Sequence, residues 1–308
     1  MRRGISQFII AAGLLPLTAT QPANAWGTDG HRIINRLAGL NLPPDLPAFL
    51  RSAQALDALS YYSPVPDHWR GAGEPALASA TAPEHFLQME SLNVLSKLPR
   101  NRYDYVRALA AVQASHPELN LSAGKIGMQP YQTVEVWERL KVSMRDYREL
   151  LARKEATGPV EAEVIFFAGW LGHYVGDASM PLHTSDKPNG WAGANPEGYS
   201  TGNHIHALFE SDFVGMNVTP ADVAPEIPES PVLFGDMFDQ YLGYLSRSHM
   251  LVEKTYQLEK TGAFTGKGSP DGKAFAVGQL GAAVIELRDM IYTAWIRSGE
   301  PVPVRQRP

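Results

Sequence analysis

The chain has 308 residues, with 27 basic and 32 acidic side chains, a formal net charge of −5 and no cysteine. An acidic balance provides no broad positive field for a polyanion, so contact with nucleic acid would need bound cations or local arginines. Without cysteine, disulfides and thiolate metal sites are excluded, and a metal site must draw on the nine histidines, on carboxylates and on backbone groups.

Residues 1–25 begin with Met1-Arg2-Arg3, continue through an apolar stretch over 8–17 and end in Ala23-Asn24-Ala25, the form of a cleavable export signal. The apolar stretch is too short to span a bilayer, which takes about 20 residues. Removing the segment leaves 25 basic and 32 acidic side chains, a net −7, and makes Trp26 the first residue. Apolar residues then recur at helical spacing over 29–40 (Ile33, Ile34, Leu37, Leu40), and residues 41–44 end the run. Residues 103–114 and 133–153 read as amphipathic helices, the second with Val136, Leu140, Met144 and Leu151 on one face. The stretch 160–180 follows Pro159 and is apolar around most of its circumference, which predicts a central buried helix. Two more long helical patterns cover 234–258 and 274–296. Between the helices lie loops at 184–203, with turn signals at Asn189-Gly190 and Asn195-Pro196, and at 262–272. No strand alternation is present. The expected architecture is all-α, a single compact multi-helix domain over 26–300 followed by a loose tail at 301–308. A monomer without stable membrane insertion is expected.

The chemistry-bearing residues fall into five short motifs. Gly172-His173-Tyr174-Val175-Gly176-Asp177 sets His173 and Asp177 four apart, on one helix face, where they can hold one metal or two adjacent ones. Such groups on an apolar helix are costly unless paired or metal-bound, the plainer reading being a helix-end histidine with a surface aspartate. Pro181 should end the helix and leave His183 in the turn beyond. His206 and Glu210 repeat the four-residue spacing on an expected helix, with His204 as a competitor facing another way and an ordinary surface pair still open. Upstream, Asp67 and Arg70 stand one turn apart after Pro64-Val65-Pro66, and His85 precedes Phe86. Finally, His31 lies five residues from Trp26. A free α-amino group at Trp26, with a pKa of about 7.7–8.0, could yield its proton to a metal at neutral pH.

Taken in this order, over 26–210, the motifs resemble the superfamily of zinc-dependent phospholipases C and S1/P1 nucleases. The resemblance implies a trinuclear zinc cleft. One zinc would be held by Asp67, His85, His173 and Asp177. A second would take the amino and carbonyl groups of Trp26, with His31 and the shared Asp177, and a third His183, His206 and Glu210. Two dications about 3.5–4 Å apart need such a bridging carboxylate, and a hydroxide between them would attack a phosphodiester. Arg70 would clamp the phosphate oxygens, and Asp67 would also orient the nucleophile. Arg70, the short 26–31 interval and the long 183–206 interval resemble the nuclease branch, in which Phe86 would stack a base. Glu210 resembles the phospholipase ligand, Gln88 replaces an aspartate frequent in nucleases, and the 87–132 stretch is long for either branch. The expected function is an exported zinc-dependent nuclease of single-stranded DNA or RNA. A phospholipase C acting on phospholipid head groups is the alternative, and a non-catalytic, zinc-stabilised helical protein the second.

Overall fold

The computed structural model describes residues 26–302, so the expected signal segment at 1–25 and residues 303–308 of the expected tail lie outside it. Trp26 leads directly into α1 (Gly27–Leu40), which buries Ile33, Ile34 and Leu37 as expected, with Ala38 beside them, whereas Leu40 at the helix end is exposed. A 3-10 turn (Ala48–Arg51) precedes α2 (Ala53–Tyr62), α3 (Val65–Gly71) and α4 (Pro75–Thr81). Two more 3-10 turns, Ala82–His85 and Met89–Val94, lead to α5 (Arg102–Ser115) and the single turn α6 (Ala123–Ile126). The long helices α7 (Gln129–Arg153) and α8 (Gly158–Ser179) come next, and a 3-10 turn at Pro181–Thr184 follows α8. Beyond the long loop, α9 (Ile205–Ala207) passes into a π-helical stretch, Leu208–Phe213, and then α10 (Val214–Asn217) and α11 (Pro220–Val223). The chain ends in α12 (Met237–His249), α13 (Val252–Lys260) and α14 (Pro270–Ser298). The fold is all-α, and among the described residues the extended pairing is one isolated bridge, Leu87 with Gly127.

Helix α8 is the axis of the molecule. Its residues 171–179 are fully enclosed, with α1, α2, α7 and α14 packed around them. Packing this close needs glycine: a β-carbon on Gly172 would stand 2.0 Å from Asn35 Oδ1, and one on Gly176 2.8 Å from His31 Nδ1. Glycine at both positions lets α1 lie directly on α8. The indole of Trp137 on α7 donates to Met290 O on α14 (2.9 Å), closing the far side.

The helical pattern over 234–258 is two helices rather than one. Leu251 N donates to Ser248 O (2.9 Å), a tighter turn than the α-helical spacing, and the helix restarts at Val252. Both pieces pack against the 181–184 turn. The expected 262–272 loop is also shorter, because Ser269 caps α14 by accepting from Gly272 N (3.1 Å) with Pro270 at the helix start. Helices α2, α3 and α4 carry too few residues to show a period. Ser52 caps the first by accepting from Ala55 N (3.1 Å), and prolines open the other two.

The long 87–132 stretch folds onto its own small core of Tyr105, Leu109, Leu121, Ile126, Met128 and Tyr131, with Phe238 of α12. Its ends return to one point: Gln88 N donates to Ile126 O (2.7 Å) and Met128 N to Pro83 O (2.6 Å). Gly127 makes this closure possible, with φ at 103° and space for a β-carbon only 2.0 Å from Phe86 O. Gly127→Ala should therefore cost at least about 2 kcal/mol, from backbone strain plus displacement of the Phe86-Leu87 main chain beside His85. Gly73→Ala, at φ 77° with nothing within 4 Å, should cost only about 1 kcal/mol. Urea unfolding midpoints of the two variants check the difference, and equal losses would sink the close-approach argument.

Candidate metal centre

The candidate ligands come from six separate pieces of chain, and α8 supplies the central pair. His173 and Asp177, both fully buried, project from one face as their spacing implies, with nearest atoms 3.4 Å apart. Helix α1 brings His31 over them. Its ring stacks on that of His173 at 4.2 Å, and its Nε2 lies 3.3 Å from Asp177 Oδ1. One turn further along α1, Asn35 donates to Leu59 O (3.0 Å) and Gly169 O (2.8 Å), fixing the rotation of the helix.

On the other oxygen of Asp177, His85 Nδ1 approaches Oδ2 at 3.1 Å and His173 Nε2 at 2.9 Å. Asp67 on α3 completes this side, its Oδ1 3.7 Å from His85 and 3.9 Å from His173. Arg70, one turn later, donates to the same Asp67 oxygen at 2.6 Å. Asp177 thus faces His31 with one oxygen and the His85–His173 pair with the other, the disposition a bridging ligand requires.

A third group forms beside it. His183 stands in the turn after Pro181, as expected, and its Nε2 is 3.1 Å from His206 Nε2 and 3.6 Å from Glu210 Oε2. His206 and Glu210 approach to 3.1 Å across the junction of α9 with the π-helical turn. The expected regular helix is therefore replaced by the wider π form at Glu210. Within the described residues, three groups bring their ligand atoms within 4.8 Å of one another: His31–His173–Asp177, Asp67–His85–His173 and His183–His206–Glu210.

The chemistry of the donors fits a metal. His173 Nδ1 faces Ser63 O (2.8 Å), His183 Nδ1 faces His85 O (2.6 Å) and His206 Nδ1 faces Pro188 O (2.8 Å). A carbonyl accepts, so each Nδ1 carries a hydrogen and each Nε2 is turned to the centre, where its lone pair, once free of a proton, can bind a metal, the orientation metal-ligating histidines adopt. Those lone pairs then face one another, and carboxylates, at distances that only a shared cation or proton makes favourable. In addition His31 Nδ1 and Nε2, His85 Nε2, Asp177 Oδ1 and Glu210 Oε1 are buried without hydrogen-bond partners. Each such orphan costs about 1–3 kcal/mol.

Titration follows the same geometry. Burial lowers His85 and takes His173 well below its usual range, so both are held neutral, the ligand form. Burial would raise Asp177 and Glu210, yet the surrounding imidazoles hold both carboxylates low. For Asp67 burial wins over the Arg70 guanidinium and the pKa rises. Burial opposes a charge on His183, but Asp177 and Glu210 overcome it and push the imidazole up to about 9.

Trp26 departs from the arrangement that the resemblance implies. Its main-chain nitrogen donates to Glu210 Oε2 (3.1 Å), in the third group, rather than joining His31 and Asp177, and its carbonyl accepts from Gly30 N (3.0 Å) at the start of α1. The reason is chemical: with Ala25 attached, this nitrogen is a peptide amide, a donor with no lone pair to give. The indole is structural, fully buried, donating to Ser179 Oγ (2.7 Å) and edge-on to Phe209.

Arg70, Phe86, Gln88, Leu182, His183, Ser185, Pro188, Asn189 and His206 line a cavity of about 410 Å³ that opens over the third group. The other histidines lie apart. His204 pairs with Glu259 (3.1 Å) and His116 with Glu118 (3.3 Å), both exposed; His68 is exposed, and His249 ends α12. Trp69 packs edge-on to Trp170. The sequence reading missed Gln129, whose amide donates to both His85 O and Tyr174 O at 3.2 Å, and the carbonyls of Ser63, His85 and Pro188. Main-chain acceptors have no residue type to betray them.

No family model matches the chain, and no curated protein matches it either. Three chains of solved structures do. The alpha toxin from Clostridium absonum is 14% identical, with 91% of this chain and 67% of the toxin covered at a TM-score of 0.43. The alpha-toxin of Clostridium perfringens avian strain SWCP is 15% identical, with 89% and 64% covered at 0.43. The present chain thus spans about two thirds of each toxin. At this identity and score the likeness carries no functional argument.

Zinc uptake by the third group should displace the proton of His183. In the metal-free protein this raised pKa adds stability that is complete below 6.5 and lost as pH rises through about 9. Zinc affinity should change in the opposite sense, gaining up to about tenfold per pH unit over the same interval. Calorimetric zinc titrations in buffers of different ionisation enthalpy measure the proton released, and a proton-neutral uptake at pH 7 would contradict the assignment.

Proposed function

We propose that the chain is a zinc-dependent phosphodiesterase. The observation that carries this reading is Asp177 standing between His31 and the Asp67–His85–His173 group, with a third group and an arginine beside them. One zinc would be held by Asp67, His85, His173 and Asp177, a second by His31, the shared Asp177 and the backbone of Trp26 once it becomes the amino terminus, and a third by His183, His206 and Glu210. Zinc, when bound, would supply charge neutralisation for a phosphodiester and ionise water at neutral pH. A structural site is usually closed by four protein ligands, whereas the third group offers three side chains beneath an open cavity, which supports catalysis over stabilisation.

The chain's own groups have distinct tasks in this reading. Arg70 points its guanidinium to phosphate oxygens, and its bond to Asp67 keeps it directed along the cavity wall. Phe86 and Gln88 line the same cavity as His206 and contribute an aromatic ring and an uncharged amide. An aromatic beside an arginine suits a base and its phosphate, so single-stranded nucleic acid is the first substrate class. Phospholipid head groups are the second reading. It is favoured by Glu210 as the ligand and by the absence of an acidic side chain at Gln88 that would read a base edge. Export would follow from residues 1–25.

Mature protein beginning at Trp26 should contain close to three zinc per chain and hydrolyse single-stranded DNA or RNA. Arg70→Ala should lower kcat by about 10²–10³ through loss of charge stabilisation. Phe86→Ala should raise KM for nucleic acid by about 5–150-fold, as loss of one stacked base implies. A parallel assay with a phosphatidylcholine analogue separates the classes: cleavage of lipid alone transfers the assignment to a phospholipase C. Zinc-replete protein inactive on both would reject the phosphodiesterase reading.

A further inference from the structure

Between His183 and His206 the chain runs through 184–205, much of it without regular structure, yet it is internally tied. Trp191 N donates to Ser200 O (2.8 Å), and Asn195 exchanges side-chain hydrogen bonds with the main chain of Tyr199, both at 2.8 Å. This folded loop needs an external anchor, because its 188–189 segment does specific work. Pro188 O receives His206 Nδ1 (2.8 Å), and Asn189 Oδ1 receives His206 N (3.4 Å).

The anchor comes from α13. Tyr256, fully buried, donates its hydroxyl to Lys187 O (2.8 Å) and accepts from Gly190 N (2.9 Å), so one oxygen spans the turn on both sides of Pro188-Asn189. Its ring sits edge-on to Trp191 at 5.2 Å and near Tyr199 at 5.9 Å, which seats the loop. Burial pushes the phenol up to about 12, so the hydroxyl keeps its proton and remains a donor. Proline at 188 fixes φ and has no N–H of its own, which narrows the conformations open to the turn.

We propose that Tyr256 is the positioning residue of the third ligand group: its hydroxyl holds the 187–190 turn in the register that presents Pro188 O to His206 Nδ1. The path is continuous. Tyr256 holds the turn, the Pro188 carbonyl takes the hydrogen on Nδ1, and the lone pair on Nε2 is left facing His183 and Glu210. The break between α12 and α13 also gains a reason, since it directs Tyr256 into the loop. This inference rests on reading His183, His206 and Glu210 as a zinc site.

The test uses full-length mature protein and the conservative variant Tyr256→Phe, which keeps the ring and removes the oxygen. Zinc titration against a chromogenic chelator should show one zinc equivalent weakened by about tenfold, the others unchanged, as for loss of outer partners of metal ligands. Tyr131→Phe is the control. Its hydroxyl also donates to a carbonyl, Pro99 O (2.7 Å), but in the separate small core, so it should lower Tm without altering zinc affinity. Tyr256→Phe binding all zinc as tightly as wild type, or losing all sites equally, would overturn the proposal. Nitrogen-15 spectra of histidine-labelled, metal-free wild type give a second reading: His206 should carry its hydrogen on Nδ1, and in Tyr256→Phe that tautomer should be less populated. A hydrogen on Nε2 in wild type overturns the proposal without any variant. Wild type that binds no zinc but shows the Nδ1 tautomer would reject the metal reading alone and leave the role of Tyr256 standing.

Discussion

A carboxylate with no access to water sits where six pieces of chain converge. Asp177 faces His31 with one oxygen and His85 and His173 with the other, and removing such a charge from water costs several kcal/mol unless cations or donors surround it. Its neighbours are themselves starved. His31 has no partner at Nδ1 and only the Asp177 carboxylate near Nε2, His85 has one nitrogen without a hydrogen bond, and Glu210 nearby has one such oxygen. In the metal-free state protons shared between imidazoles and carboxylates, such as that on His183, hold the cluster together. Bound divalent cations would take the place of those protons and supply positive charge to an acidic chain.

The surrounding architecture is arranged to keep that cluster closed. Gly172 and Gly176 admit α1 against α8, and Asn35 sets the angle at which His31 arrives. Tyr241 and Tyr244 of α12 donate to Tyr174 O (2.9 Å) and Val175 O (3.1 Å), gripping α8 between its two ligands. His85 joins the groups, since its ring faces Asp177 while its carbonyl receives His183. The long 87–132 stretch is part of the same surface rather than an ornament. Gln88 lines the cavity, and Glu90 accepts from Ser185 Oγ (2.6 Å) and Asp186 N (3.0 Å), tying the stretch to the loop that carries Pro188.

Much of the fold was legible because long helical patterns persist over several turns: α1, α5, α7, α8 and α14 lie within a few residues of the expected ranges, although Leu40 and Leu151, expected on apolar faces, are exposed near the ends of their helices. The four-residue spacings were equally legible, since a helix leaves His173 and Asp177 no choice but one face. Three features were not. The break at Met250-Leu251 has no glycine or proline to mark it, and the two helices it separates both pack against the 181–184 turn. The π-helical turn at Glu210 is one extra residue absorbed in mid-helix, invisible to a 3.6-residue period. The amide of Trp26 lies on Glu210 because a peptide nitrogen seeks an acceptor, a matter of where α1 begins in space.

By itself the sequence determined which atoms are available for chemistry and their local grouping: histidines and carboxylates in place of thiolates, paired one helical turn apart on an all-α scaffold. Only the tertiary structure decided which pairs share a centre and which nitrogen of each ring faces inward. His204 and His206 are near neighbours in the chain, yet one pairs with Glu259 at the surface and the other faces His183. The physical reason is that helix geometry is local, set by hydrogen bonds four residues apart, whereas a ligand's direction depends on the remote carbonyl that claims its other nitrogen. Ser63, His85 and Pro188 supply those carbonyls from distant parts of the chain, and a backbone oxygen leaves no mark in the sequence.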